Sequence, residues 1–334
     1  MAREGRGRYC SVQDVRYPQS GTGTNERKFS VTSSGFTGGL SPARLTVGVV
    51  SAGRVGTAFG EALERVGHVV VGAAAVSDAS ITRVRERLPE SQVLPVDEVA
   101  RRAELLILAV PDSELASIVA GLASTGAVAP GKLVVHTSGA NGISVLEPLS
   151  ALGAVPLAIH PAMTFSGGVE DTDRMTAACF GITAGDEIGY AVAQALVLEI
   201  GGEPVHVPEN NRPLYHAALA HGSNHLVTLV VDAVEALRVA LAGPGFPGSD
   251  SERGVPERVL APLLEAALDN ALRNGQSALT GPVARGDTAA VGKHLDVLES
   301  VDSRIAAGYR ALSLRSAQRI GAKADLIELL EGNR

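Results

Sequence analysis

Glycines at 48, 53 and 56, with a serine at 51, form the pattern Gly48-x-x-Ser51-x-Gly53-x-x-Gly56 between an apolar run and an amphipathic one. A glycine at 53 lets a pyrophosphate approach the backbone, and one at 56 lets a helix pack closely on a sheet. The free N–H groups of a helix that starts here favour anionic oxygens. The chemistry implied is dinucleotide binding through Ser51, Ala52, Gly53, Arg54, Val55 and Gly56. Ser51 stands where this pattern ordinarily has its first glycine. It is accommodated if φ is negative there, and its hydroxyl could then reach a phosphate.

Two further segments belong to the same ligand. Ser77 and Asp78 fall at the tip of the next predicted strand, where a side chain meets the adenosine ribose. An acid there suits NAD, whereas Arg83, Arg85 and Arg87 on the following helix offer guanidinium groups for a 2′-phosphate. The reading leans to NADP, with NAD as the alternative. Val110, Pro111 and Asp112 end a later strand and bring backbone near the cofactor.

Polar groups at other strand ends supply candidates for substrate chemistry. Hydride transfer to a C=O or C=N bond needs a donor that meets the developing negative charge. Ser138, in His136-Thr137-Ser138-Gly139, and His160, in His160-Pro161-Ala162-Met163-Thr164-Phe165, are placed for it. His136 also reads as a strand-end imidazole bonded to backbone. On a long predicted helix, His221 and Asn224 stand three apart and are expected to share a face, with His225 four beyond His221. They form either a substrate-facing patch or a buried hydrogen-bond cluster between helices. No Glu separates the two histidines and no third ligand is evident, so no metal site is expected. Arg285 either reaches an acidic group on a ligand or pins its own loop.

The elements that position these residues follow from hydrophobic periodicity. Strands are predicted at Leu45–Val50, His68–Ala75, Leu105–Val110, Lys132–His136 and Ala154–Ile159, with a brief extended piece at Leu94-Pro95-Val96 and Asp97 capping the turn that follows. Helices lie between them, and late strands are expected at Ala178–Thr183 and Pro204–Val207. The alternation implies an α/β domain over residues 45–208, a Rossmann doubly wound parallel sheet with helices on both faces. Residues 209–334 read as all-helical, a substrate and dimerisation domain. It begins with a helix over Asn210–Leu241 that ends at the Gly/Pro/Ser loop Gly243–Gly254. Three longer helices and a short one follow, with Gly281-Pro282 stopping one and Asp287 capping the next. Residues 1–44 carry no periodicity and are expected to be disordered. Their Arg- and Ser-rich composition resembles a targeting peptide, against which Glu4, Asp14 and Glu26 weigh.

Composition narrows the classes. The 334 residues are 45% hydrophobic, enough for two domains, and carry a formal net charge of −7 with 3% aromatics and no Trp. That excludes a nucleic-acid groove with stacked bases. No run of about 18–20 apolar residues exists for a membrane helix. The two cysteines, Cys10 and Cys179, sit in unlike surroundings, which fits a reduced, cytoplasmic compartment.

The motif set comprises Gly48–Gly56, Ala109-Val110-Pro111-Asp112, His136-Thr137-Ser138-Gly139, His160-Pro161 with Thr164-Phe165, Ser223-Asn224, and Thr280-Gly281-Pro282 with Arg285-Gly286-Asp287. With these residues the chain resembles Rossmann-like NAD(P)-dependent oxidoreductases, common in actinobacteria, that carry a C-terminal helical domain of unknown function. More distantly it is similar to ketopantoate reductases, pyrroline-5-carboxylate reductases and β-hydroxyacid dehydrogenases. The resemblance implies NADP binding, a helical domain like the C-terminal one of 6-phosphogluconate dehydrogenase, and a homodimer built through it. Ketopantoate reductases and β-hydroxyacid dehydrogenases place a catalytic Lys four residues before an Asn on this helix, and here Ala220 stands at that spacing from Asn224. His160, His221 or Ser138 must then supply the proton, or the substrate is an imine that arrives protonated. The expectation is an NADPH-dependent reductase of a small keto acid or imine. The alternative is a non-catalytic NAD(P)H-binding sensor or scaffold.

Overall fold

A computed structural model describes residues 44–242 and 254–332. The tail up to residue 43, with Cys10, and the loop over 243–253 lie outside the described residues.

The first half alternates strand and helix: β1 (Thr46–Val50), α1 (Arg54–Arg65), β2 (Val69–Ala74), α2 (Asp78–Arg87), β3 (Gln92–Val93), α3 (Val96–Arg102), β4 (Leu105–Leu108), α4 (Asp112–Thr125) and β5 (Leu133–His136). It continues with α5 (Glu147–Ser150), β6 (Val155–Pro161), α6 (Glu170–Met175), β7 (Cys179–Ala184), α7 (Glu187–Glu199) and β8 (Glu203–His206). The eight strands form one sheet in the order β3-β2-β1-β4-β5-β6-β7-β8. Reversal of strand order on either side of β1 makes the crevice at the ends of β1 and β4 the place where such a sheet holds a ligand. The strands read as continuous apolar runs because both faces are covered. In β4, Leu105 and Ile107 join one core with Val49, Phe59 and Leu63, while Leu106 and Leu108 join the other with Leu115 and Val119.

The second half is helical: α8 (Arg212–Leu241), α9 (Val255–Asn274), α10 (Gly281–Arg285), α11 (Thr288–Val301), α12 (Ser303–Ile320) and α13 (Ala324–Glu331). Its own core gathers Val283, Val291, Leu295, Ala317, Leu326 and Leu330.

Several local expectations need correction. The sheet is not wholly parallel, since β7 runs antiparallel to β6. The link between them carries the short helix α6 along α1, where Arg65 meets Asp173 at 2.6 Å, and returns the chain antiparallel to β6. The short extended piece is Gln92–Val93, and Val96 already belongs to α3. Pro95 occupies the N-cap of α3, so Asp97 does not cap it and instead pairs with Arg101 at 2.5 Å. Gly281-Pro282 opens α10 rather than closing a helix, because proline's fixed φ suits the first helical turn. Asp287 does cap α11, its carboxylate accepting from the Ala290 N–H at 3.0 Å.

Candidate active site

The glycine turn has the geometry of an anion cradle with one unexpected feature. Ser51 adopts φ +70°, the left-handed conformation, and not the negative φ expected. The turn thus keeps the backbone path that a glycine takes freely, at a cost of about 1–2 kcal/mol for a residue with a Cβ. Ala52 is buried and anchors the turn by donating its N–H to the Ala74 carbonyl at 2.9 Å. Gly53 is the N-cap of α1 with no side-chain cap, and a Cβ there would find only Ser51 Oγ, at 3.9 Å. A Cβ at Gly56 would instead come within 2.4 Å of the Ser51 carbonyl and 3.0 Å of Ala109. Gly56 is therefore required by packing, whereas Gly53 leaves open space over the uncapped turn that includes Arg54 and Val55. An uncapped helix start beside open space fits a phosphate group. Arg54 extends away, its Nη1 donating to the Phe165 carbonyl at 3.4 Å.

Beyond the end of β2, Ser77 caps α2, accepting from the Ser80 N–H at 3.2 Å, and Asp78 begins the helix exposed. Arg87 is not available to a ligand. It is buried, donating to Glu61 Oε2 at 2.7 Å and to Thr172 Oγ1 at 2.6 Å. Arg85 is exposed, and the buried Nε of Arg83 has no hydrogen-bond partner among the described residues. Val110, Pro111 and Asp112 lead into α4, with Pro111 at its N-cap and Asp112 exposed.

A cavity of about 370 Å³ lies where β6 meets α8. His160, Met163 and Thr164 line it from the sheet, and His216, Ala220, Ser223 and Asn224 from the helix. Positions 216, 220, 223 and 224 share one face of α8 because they recur every three to four residues. His221 and His225 turn to the far side, where their Nδ1 atoms stand 2.8 Å apart on the exposed surface. The expected sharing of a face by His221 and Asn224 fails for this reason, and His221 does not line the cavity. Among the described residues no cluster of three or more metal-ligating side chains occurs.

His160 lies within β6 rather than beyond its end. Its Nδ1 is 3.0 Å from the Tyr215 hydroxyl, and its ring meets those of Tyr215 and His216 edge-on. Burial, then the Arg212 charge and the neighbouring His216, lower its pKa to about 4, so it is neutral at pH 7. The Cα of Gly139 sits so close that a Cβ would fall 2.7 Å from His216 and 2.9 Å from His160 Nε2. Glycine at 139 thus allows the β5 loop to close over both imidazoles.

Ser138 is buried, and its hydroxyl accepts from both the N–H and the side-chain amide of Asn141 at 3.0 Å. It closes the loop after β5 and does not line the cavity. His136 is the strand-end imidazole bonded to backbone, its Nε2 2.8 Å from the Gly142 carbonyl. With Nδ1 accepting from the Ser138 N–H at 3.2 Å, the Gly142 bond puts its proton on Nε2. Burial lowers its pKa to about 4. Glu209 then fastens the next turn, accepting from the Ile143 and Ser144 N–H groups at 2.8 and 3.0 Å. Burial alone would raise its carboxyl, but those two bonds, with the Ser144 hydroxyl and the Arg212 charge, together hold the pKa below the ordinary value.

Sequence reasoning missed three residues. Arg212 is completely buried, donating to Thr183 Oγ1 at 2.8 Å and to the carbonyls of Ser138, Ala158 and Gly181 at 3.1, 3.0 and 2.9 Å. It ties the β5 loop, β6 and β7 together behind His160, and desolvation lowers its pKa to about 10. Tyr215 and His216 follow on the next turn. Extending the stripe of Ser223 and Ala220 back along α8 finds His216, but nothing in the residue types foretells a buried Arg held by carbonyls. Arg285 is exposed at the end of α10 and does not line the cavity.

Comparison with known proteins follows the same division. Residues 31–161 match a Rossmann-like domain, and residues 178–316 match the domain of unknown function DUF2520. No curated protein matches the sequence. Among solved structures, a protein of Bacteroides fragilis assigned as an NADP oxidoreductase is 22% identical, with a TM-score of 0.68 over 83% of this chain and 99% of that one. An NADH-preferring ketol-acid reductoisomerase from an uncultured archaeon is 16% identical, with a TM-score of 0.55 over 86% and 87%. A reductive aminase of Aspergillus terreus bound to NADPH is 16% identical, with a TM-score of 0.51 over 87% and 92%. At such identities the likeness establishes the fold.

Proposed function

We propose that this chain, a Rossmann-like domain joined to the DUF2520 domain, is an NAD(P)-dependent reductase of a small carbonyl compound or imine. The observation that carries the reading is the cavity shared by β6 and α8. It brings His160 and Asn224 together on the ligand side of a dinucleotide-type sheet. The names of the B. fragilis protein and the A. terreus aminase support the same class.

The residues fit the cofactor. The open space at Gly53, the uncapped start of α1 and the backbone at Val110–Asp112 would hold its phosphates, with Ser77 and Asp78 near the ribose. We favour NADP, because the partnerless Arg83 Nε and the exposed Arg85 lie on the helix that follows β2. When bound, the cofactor supplies the hydride.

The chain's own residues orient the acceptor and deliver the proton. The Asn224 amide and the Ser223 hydroxyl line the cavity and would hold the C=O or C=N group. The Tyr215 phenol is raised by burial and drawn down in part by Arg212 and by the Gly181 N–H. In this reading Tyr215 donates its O–H to His160 Nδ1, and the His160 proton sits on Nε2. A neutral imidazole then meets the charge developing on the substrate oxygen. As Nε2–H passes to that oxygen, the Tyr215 proton replaces it at Nδ1. The Arg212 guanidinium, 5.9 Å from the Tyr215 ring centre, favours the resulting phenolate. Ser138 acts by holding the loop, and His221 is left outside the reaction.

We also propose a homodimer through the helical domain. Only Arg212 and Val234 of the thirty residues of α8 are buried, and Leu226, Val227, Leu229 and Val231 are exposed. Such a face is covered at least cost by a second copy related by a two-fold axis. Light scattering should give twice the chain mass; the monomer mass at micromolar concentration would reject it.

The test of function is NADPH oxidation across ketones, keto acids and imines. Turnover that is lost in Asn224→Ala with NADPH affinity retained supports the reading. Tight NADPH binding without turnover of any member would favour a sensor.

A further inference from the structure

We infer that the cavity selects an acceptor that is uncharged and bears no carboxylate, so that the substrate is a neutral ketone or imine and not a keto acid. This rests on the reductase reading and narrows it.

Among the described residues, no Asp, Glu, Lys or Arg lines the cavity. Its apolar surface comes from Ala162, Met163, Leu219 and Ala220, and its polar atoms from Thr164, Ser223, Asn224 and the two imidazoles. Arg212, the cation nearest to His160 in influence, is fully buried and has all three guanidinium nitrogens bonded within the protein. It has no surface to offer a carboxylate. Ala220 lies on the cavity wall, one turn before Asn224, and offers the space only a methyl group.

A carboxylate in this space, which stays open to solvent at Ser223 and Asn224, would give up part of its hydration and find no counter-charge, a penalty that hydroxyl and amide dipoles offset only in part. An uncharged C=O or C=N group needs one or two hydrogen bonds, which Asn224, Ser223 and His160 are placed to make. The apolar patch then accommodates an alkyl or ring substituent.

Matched ligands in the NADPH-loaded protein test this. Initial rates would be compared for 2-oxobutyrate, its methyl ester and 2-pentanone. A parallel arm would measure binding of the unreactive pair 2-pyrrolidinone and 5-oxoproline by quenching of NADPH fluorescence. The expected result is kcat/KM at least about 100-fold higher for the ester or ketone than for the acid, and the lactam bound more than about tenfold tighter than its carboxylate. In Ala220→Lys, which adds a cation to the wall, the binding preference should reverse. Equal or better use of the acid, tighter binding of 5-oxoproline, or no binding of either probe would overturn the proposal. Preferential lactam binding without turnover of any substrate would leave the selectivity standing and remove the reductase reading.

Discussion

His160 Nδ1 and the Tyr215 hydroxyl stand 3.0 Å apart, joining a strand of the sheet to the first turn of the long helix α8. One bond thus couples the two halves of the chain at the wall of the cavity. With the phenol as donor, the His160 proton sits on Nε2 and faces away from Tyr215. Tyr215→Phe should lower kcat about tenfold, the worth of one buried hydrogen bond, with KM for NADPH unchanged. Unchanged kcat would show that the phenol does not serve His160.

Gly53 and Gly56 should separate binding from folding. A Cβ at 53 meets only Ser51 Oγ, at 3.9 Å, and φ −73° is open to residues other than glycine, so Gly53→Val adds its bulk to the open side of the turn. Stability should stay within about 0.5 kcal/mol while NADPH affinity falls by about 100-fold or more. Gly56→Ala forces a Cβ to 2.4 Å from the Ser51 carbonyl and should destabilise by about 1–3 kcal/mol. Urea denaturation and NADPH fluorescence read the two effects. Normal NADPH binding in Gly53→Val would place the cofactor elsewhere.

Ser51→Gly should stabilise the protein. The serine holds φ +70°, and glycine removes a left-handed penalty of about 1–2 kcal/mol while adding backbone entropy to the unfolded chain. A net gain of about 0.5–1 kcal/mol, read as a higher urea midpoint at unchanged m, is expected. A loss of stability would mean that the hydroxyl has a structural bond of its own.

Arg212→Leu would leave the carbonyls of Ser138, Ala158 and Gly181 without their donor. The cost should be on the order of 3 kcal/mol or more, and Arg212→Lys should recover little of it because one ammonium cannot span four acceptors. Thermal unfolding of both variants checks this, and a lysine variant as stable as the parent would contradict it.

Stability should fall in mild acid. His136 and His160 have folded pKa values of about 4, below the ordinary 6.5. The unfolded chain therefore takes up more protons, and their contribution is full above pH 6.5 and lost as pH falls towards about 4. Urea midpoints between pH 7 and 5, a range in which ordinary carboxylates stay charged, should decline. The slope should flatten in His136→Asn. A flat profile in the parent would show both imidazoles to be solvated.

The sheet and the helical half were readable because their signals are local. Runs such as Leu105–Leu108 are buried on both faces, and the stripe along α8 repeats at helical spacing. The antiparallel β7 was not, since strand direction depends on how the Ala162–Ala178 link lies against α1. His160 and Asn224, singled out by residue type and place, both line the cavity. His221 was misplaced because three-residue spacing allows about 60° of rotation, enough to carry it off the cavity face. Arg212 could not be found from sequence, because its partners are backbone carbonyls of three distant segments.

The most direct measurement is a crystal structure with NADPH bound. The account predicts the pyrophosphate over Gly53 and the nicotinamide C4 at the cavity, facing the space between His160 and Asn224. A nicotinamide ring lodged away from that cavity, or a turn at Ser51–Gly56 that makes no contact with the cofactor, would contradict it.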